Sequence, residues 1–198
     1  MTPERKFKLE KVLSQRQSNM TVVFENVEDP HNISACLRTC ESVGIQDIYI
    51  LNHTIPPHPK FGKEIGFKSS RSALKWLTIH YYDNVKECVK TLRDNGFELM
   101  AANLSAQSID LYDVDFTQNI ALVFGNERKG ITEEMLSYCN SNFLIPQVGI
   151  IQSLNISVAC AVTLYEAFRQ KKNAGHYENI SLPIQQLIGL KEKWGCEE

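Results

Sequence analysis

The chain has 198 residues, 43% of them apolar and 22% charged, with a formal net charge of −2. That length supports one domain with its own core, and the composition marks a soluble globular protein with no global positive field. No apolar run reaches the roughly 20 residues of a membrane span, the N-terminus lacks an apolar signal core, and Glu4 and Glu10 argue against an acid-poor transit peptide, so a cytoplasmic protein is expected.

Pro3 to Gln17 reads as an amphipathic helix with Phe7, Leu9, Val12 and Leu13 on its apolar positions. Thr21 to Phe24 is a β-branched and aromatic run, hence a strand. Asp29-Pro30-His31-Asn32 is turn chemistry, and Ile33, Cys36, Leu37 and Cys40 follow at helical spacing up to Gly44. Asp47 to Leu51 is a second buried strand. Residues 52–66 read as a loop, Ser70 to Trp76 as a short helix, Leu77 to Tyr81 as a strand and Asn84 to Asp94 as a helix closed by Asn95-Gly96. Phe97 to Ala102 is a strand, and Ile120 to Phe124 is the most continuous apolar strand, of the kind buried on both faces. Thr132 is a plausible N-cap for the next helix, Asn142 to Ile145 is a strand stopped by Pro146, and Asn155 to Lys171 is the longest helix, apolar almost all round. Alternating strands and helices predict an α/β fold with a mainly parallel sheet over residues 1–177, and a helix-capable tail, 178–198, that packs on a partner chain or stays mobile.

Several chemistries are missing. There is no Gly-x-Gly-x-x-Gly after a strand, no Walker A motif, no Gly-x-Ser-x-Gly elbow and no His-Glu-x-x-His. The histidines at 31, 53, 58, 80 and 176 are scattered. None of the six cysteines forms a Cys-x-x-Cys or pairs with His at zinc spacing, so no metal site is expected and the thiols read as reduced, mostly buried hydrophobes. Cys36 and Cys40 share a helix face, but no His supports a nucleophilic role.

What remains is three polar clusters at strand-to-helix junctions. In Asn32 to Arg38, Asn32 can cap the helix, and Arg38 lies one turn after Ser34, both pointing to one side. An ion pair between Arg38 and Glu41 is the bland alternative. Phe124-Gly125-Asn126-Glu127-Arg128-Lys129-Gly130 follows the buried strand, where α/β sheets bind ligands. A plain turn is the alternative, although Glu127 at a buried strand end needs a partner. Ser153-Leu154-Asn155 opens the last long helix, where free backbone N–H groups and the positive dipole end are available, and simple capping by Asn155 is compatible with that use. Three such clusters on one sheet favour one composite site over three unrelated caps.

These runs carry a family resemblance. Asn26 to Gly44 resembles motif 1 of the SpoU/TrmH RNA 2′-O-methyltransferases, Phe124 to Ile131 resembles motif 2, and Ile145 to Ala159 resembles motif 3. The match runs on through Leu164 to Gln170 and Asn173-Ala174-Gly175, as in the tRNA-modifying TrmH branch. The resemblance implies a SPOUT-type parallel sheet flanked by helices with a deep C-terminal trefoil knot, an exception among folds. It implies S-adenosylmethionine as cofactor, a homodimer, and methylation of the ribose 2′-OH of guanosine 18 in the tRNA D-loop. A ribosomal RNA target, another tRNA nucleotide and a non-catalytic RNA-binding module are the alternatives. By the same resemblance Arg38, Asn32, Glu127, Ser153 and Asn155 form the catalytic set, and Asn103, Leu104, Gly125, Ile145 and Leu154 surround the cofactor. With Cys196-Glu197-Glu198 acidic at the end, RNA contact is expected on Arg5, Lys8 and Lys11 and on Arg169, Lys171 and Lys172.

Overall fold

The computed structural model describes residues 1–55, 71–151 and 153–196. Seven parallel strands form one sheet: β1 (Met20–Glu25), β2 (Asp47–Leu51), β3 (Thr78–Tyr82), β4 (Glu98–Ala102), β5 (Ile109–Asp110), β6 (Ile120–Phe124) and β7 (Ser141–Leu144), in the spatial order β3-β2-β1-β6-β4-β7-β5. Every residue of β1 and β6 is buried, as the unbroken apolar character of β6 requires of a strand covered on both faces, and β1 adds the buried polar Thr21 and Glu25. The two pair in register, Met20 with Ile120 through Phe24 with Phe124. They bring the ends of the first and second polar clusters side by side.

Helices cover both faces: α1 (Pro3–Ser14), α2 (Pro30–Ser42), α3 (Arg71–Leu74), α4 (Val85–Asp94), α5 (Glu133–Tyr138), α6 (Ile156–Asn173) and α7 (Ile184–Trp194). One core layer joins α2 and α6 to the sheet through Ile33, Cys36, Leu37, Cys160 and Leu164, and the opposite layer joins α4 and α5 through Val85, Leu92 and Met135. The strand Ile109–Asp110 and the 3-10 turn Leu111–Asp113 were not foreseen, because two residues carry no periodicity. Residues 56–66 of the expected loop, Ser70, Gln152 and the acidic pair at 197–198 lie outside the described residues.

Four expectations change. The 178–198 segment contains α7, which packs on α1 of its own chain, Leu190 and Trp194 together with the preceding Leu182 meeting Leu9 and Leu13. Its lead-in is tied down where the Ser181 hydroxyl donates to Arg16 O at 2.8 Å. α6 is not apolar all round in its setting, for Val158 is 46% and Tyr165 53% exposed. Ser34 is buried while Arg38, one turn further along the same side of α2, is exposed, so the two do not form a joint polar surface. Lys171 is fully buried instead of facing RNA. Its ammonium donates to Asn19 Oδ1 at 2.7 Å, and desolvation pulls its pKa down to about 8.

Candidate active site

The site forms at the C-terminal ends of β1, β6, β4 and β7, the edge at which open α/β sheets take ligands. β1 delivers Glu25, fully buried, which accepts from Thr132 N at 2.9 Å, from the Thr132 hydroxyl at 2.5 Å, and pairs with His53 Nε2 at 2.8 Å. Thr132 in turn caps α5 by accepting from Met135 N. This buried carboxylate therefore staples the loops after β2 and β6 to the central strand. Next comes Asn26, in the left-handed region at φ 53°, with Oδ1 accepting from His53 N and Thr54 N at 3.0 Å each. Asparagine tolerates that conformation better than most residues. Asn126 closes the bracket by donating to Asn26 O at 2.8 Å while its own Oδ1 holds Arg128 N and Lys129 N. Gly125 is required in this bracket, because a Cβ there would stand 2.4 Å from Gly130 C and Ile131 N.

The three clusters meet in a hydrogen-bonded chain of side chains. Asn32 Nδ2 donates to Glu127 Oε1 at 2.8 Å, and Asn155 Nδ2 donates to Asn32 Oδ1 at 3.1 Å. The second oxygen of Glu127 accepts from Glu28 N at 3.3 Å. Asn155 also caps α6 as expected, its Oδ1 accepting from Ser157 N at 2.8 Å and from the Ser157 hydroxyl at 2.6 Å. Asn32 does not cap α2. Asp29 does, accepting from His31 N at 2.8 Å, with Pro30 in the first turn, where a missing N–H costs nothing. The Asn32 amide is thereby free to serve as the bridge. Glu127 is exposed at the strand end, not buried. The buried glutamate is Glu25, which sequence reasoning passed over because it ends an apolar strand without belonging to a recognisable polar run.

Two adjoining cavities open beside this chain, of about 460 Å³ and about 190 Å³. Gly125, Glu127 and Asn155 line the first, Asn103, Leu104 and Ile145 the second, and Ser153 and Leu154 line both. All five expected cofactor residues thus converge, as do four of the five expected catalytic residues. Leu104 is 67% and Leu154 38% exposed, which leaves apolar walls in a concave cleft, the usual make-up of a small-molecule site.

Arg38 stands apart. It follows Asn32 by six residues, about 9 Å along the helix and about 240° around it, and so faces away from the cleft. It lines a different groove, with Arg5, Lys8 and Trp76. The expected alternative, pairing with Glu41, does not form. Glu41 Oε1 is held by Arg16 Nη2 at 3.0 Å, and the buried Arg16 also donates to Ile45 O at 3.2 Å. Arg38 makes no hydrogen bond or ion pair with any described residue. Arg5, Lys8, Lys11 and Lys172 are exposed as expected, while Arg169 is exposed but engaged with both oxygens of Glu166 at 2.9 and 2.7 Å. The thiols are unsuited to nucleophilic work. A hydrogen bond with Cys160 and burial push the Cys36 pKa far up, and burial raises Cys88 and Cys139 to about 12. No group of His, Cys, Asp and Glu among the described residues is arranged to hold a metal ion, and no helix there is long and apolar enough to cross a membrane.

A parallel α/β sheet with three polar junctions fused at its carboxyl edge defines a ligand-binding cleft of the kind open α/β sheets carry. Residues 19–165 match the SpoU rRNA Methylase family, and the chain belongs to that family. It is 38% identical, over 98% of its own length and 96% of the relative's, to the tRNA (guanosine(18)-2'-O)-methyltransferase of Thermus thermophilus. It is 35% identical to the enzyme of the same name from Escherichia coli, over 92% of this chain and 78% of the relative. Among solved structures, the A. aeolicus TrmH/SpoU tRNA modifying enzyme superposes with a TM-score of 0.84 at 34% identity, covering 96% of this chain and 94% of the other. An AdoMet-bound rRNA methyltransferase from Sinorhizobium meliloti gives 0.65 at 26% identity, covering 80% and 59%.

Proposed function

We propose that this chain transfers the methyl group of S-adenosylmethionine to the ribose 2′-OH of guanosine 18 in the D-loop of tRNA, working in the cytoplasm as a homodimer. The observation that carries the reading is the Glu127–Asn32–Asn155 chain at the mouth of a cleft walled by the five residues expected around the cofactor. The relatives that match nearly the whole chain bear the name of that activity.

The cleft fits the cofactor. Leu104, Ile145 and Leu154 offer apolar walls for an adenine ring, and the Glu127 carboxylate offers a counter-charge for a cationic group. When bound, S-adenosylmethionine supplies an electrophilic methyl group on a sulfonium. Glu127, Asn32 and Asn155 hold one another rigid, so that the rim presents fixed donors and acceptors to an incoming ribose. A hydroxyl is a poor nucleophile and must lose its proton as it attacks, so a nearby cation that stabilises the developing alkoxide lowers the barrier. Arg38 is that cation, and its fork also grips the adjacent phosphate, which takes the proton.

Since Arg38 faces away from the cleft of its own chain, it acts on the cleft of a second copy. Exposed Val148, Ile150, Ile151, Val158 and Tyr165 supply the apolar surface that a second copy covers. β7 lies between β4 and β5 and α6 packs on α2, an arrangement that supports the trefoil knot implied by the family.

The test is methyl transfer from radiolabelled S-adenosylmethionine to unmodified tRNA by wild type and Arg38→Ala, with the product mapped by resistance to alkaline cleavage. Label at guanosine 18, lost in the variant, is expected. Label in ribosomal RNA alone overturns the tRNA assignment.

A further inference from the structure

The groove that holds Arg38 lies outside the cofactor cleft, a cavity of about 660 Å³ between α1, α2 and α7. Its rim carries Arg5, Lys8 and Arg38, and Glu41, the one acidic lining residue among the described residues, has its charge met by the buried Arg16 at 3.0 Å. In a chain with net charge −2 that is a local excess of cations. One wall is aromatic. Trp76 is half-buried and packs edge-on against Trp194, with ring centroids 5.0 Å apart. Trp194 rests on Arg16, whose guanidinium carbon is 5.3 Å from the ring centroid, while Lys75 Nζ, 5.1 Å from the Trp76 centroid, adds a further cation at that wall. Phosphate-gripping cations beside a rigid aromatic wall are the two elements by which proteins hold unstacked nucleotides.

We propose that this groove is a subsite for one unstacked nucleotide of the RNA substrate, a neighbour of the methylated one, with its phosphate between Arg5 and Lys8 and its base against the Trp76–Trp194 wall. The inference rests on the RNA methyltransferase reading and adds a residue, Trp76, that selects RNA able to splay out a base beside the target. Arg38 would then sit between the two nucleotides, which suits its grip on the intervening phosphate.

The chain has two tryptophans, and both line this groove, so its intrinsic fluorescence reports on occupancy directly. Unmodified tRNA transcript is titrated into wild type, Trp76→Phe and Trp76→Leu, and methyl-transfer kinetics are measured on the same samples. Expected are quenching of wild type by tRNA, a KM for tRNA raised roughly 5- to 100-fold in Trp76→Leu with kcat and S-adenosylmethionine affinity unchanged, and rescue in Trp76→Phe. Should Trp76→Leu not fold, Arg5→Ala with Lys8→Ala serves instead, flattening the logarithmic salt dependence of tRNA binding by roughly 0.7–0.9 for the one phosphate lost. An active wild type that shows no quenching, or an unchanged KM in Trp76→Leu, overturns the subsite and leaves the enzymatic reading standing. Quenching by tRNA with no methyl transfer does the reverse. Conversion of Trp76→Leu from dimer to monomer in sedimentation overturns the subsite as well, since the groove is then an interface between copies.

Discussion

Asn32 and Glu127, 95 residues apart in the chain, meet at 2.8 Å with the amide donating to the carboxylate. The pair is mutually dependent. Asn32 can donate to Glu127 and accept from Asn155 at once only because it is an amide, with a donor and an acceptor on one planar head.

Asn32→Asp replaces that donor with a second carboxylate against Glu127. The expected result is a fall in kcat of about 100-fold or more at neutral pH, with a smaller change in S-adenosylmethionine affinity. Adding Glu127→Gln to Asn32→Asp restores a donor facing an acceptor and recovers part of the loss. Steady-state kinetics of the two single variants and the double variant check this. A double variant no better than Asn32→Asp would show that polarity at these positions, not their mutual hydrogen bond, is what matters.

Mixing subunits tests whether Arg38 serves the neighbouring cleft. Arg38→Ala and Asn155→Ala homodimers are each expected to be inactive, whereas their mixed dimer has one intact cleft and regains activity, up to about half of a wild-type dimer's. Inactivity of isolated, correctly assembled mixed dimers would place Arg38 at its own chain's cleft.

Gly125→Ala forces a methyl group into backbone 2.4 Å away. About 2–4 kcal/mol of stability is expected to be lost, together with cofactor affinity, because the only relief is a shift of the Gly130–Ile131 segment. Chemical denaturation and calorimetric titration with S-adenosylmethionine measure the two effects.

Lys171 supplies a pH prediction. Its folded pKa of about 8 lies below the ordinary 10.5, so between those values the unfolded chain binds more protons than the folded one. The burial penalty is complete below pH 8 and fades as pH rises towards 10.5. Lys171→Met is accordingly expected to stabilise the protein at pH 7 by about 1–3 kcal/mol, and the gain shrinks by pH 10. Urea melts at both pH values decide. A gain that does not depend on pH would mean that burial does not lower the folded pKa and that the lysine stays charged in both states across this range.

The strands were legible where residues face apolar surroundings on both sides, as Ile120 to Phe124 and Ile48 to Leu51 do, because burial on both faces leaves an unbroken apolar run. Which residues touch the ligand edge was legible too, since polar clusters directly after such runs have few other uses. Partnership across long separations was not. Nothing local in the sequence separates Arg16 from Arg5, Lys8 and Lys11, yet it is buried beneath α2 and takes Glu41, while Lys171 and Lys172 read as one basic step although only Lys172 reaches solvent. Asn32 read as a cap because Asp29-Pro30 looked like the turn before the helix instead of its first residues. In each case local chemistry was satisfied equally well by two arrangements, and tertiary packing chose between them.

The pairing of β1 with β6 constrains how the protein is made. The first strand emerges from the ribosome beside β2 and β3 but waits for its central neighbour until residues 120–124 have left the tunnel, and Asn32 waits longer still for Asn155, 123 residues downstream. Long-range parallel pairing of this kind is slow and leaves an apolar strand edge exposed in the meantime. A nascent fragment ending before Asn155 therefore carries no assembled cleft, so methylating competence arrives late, after the sheet has closed.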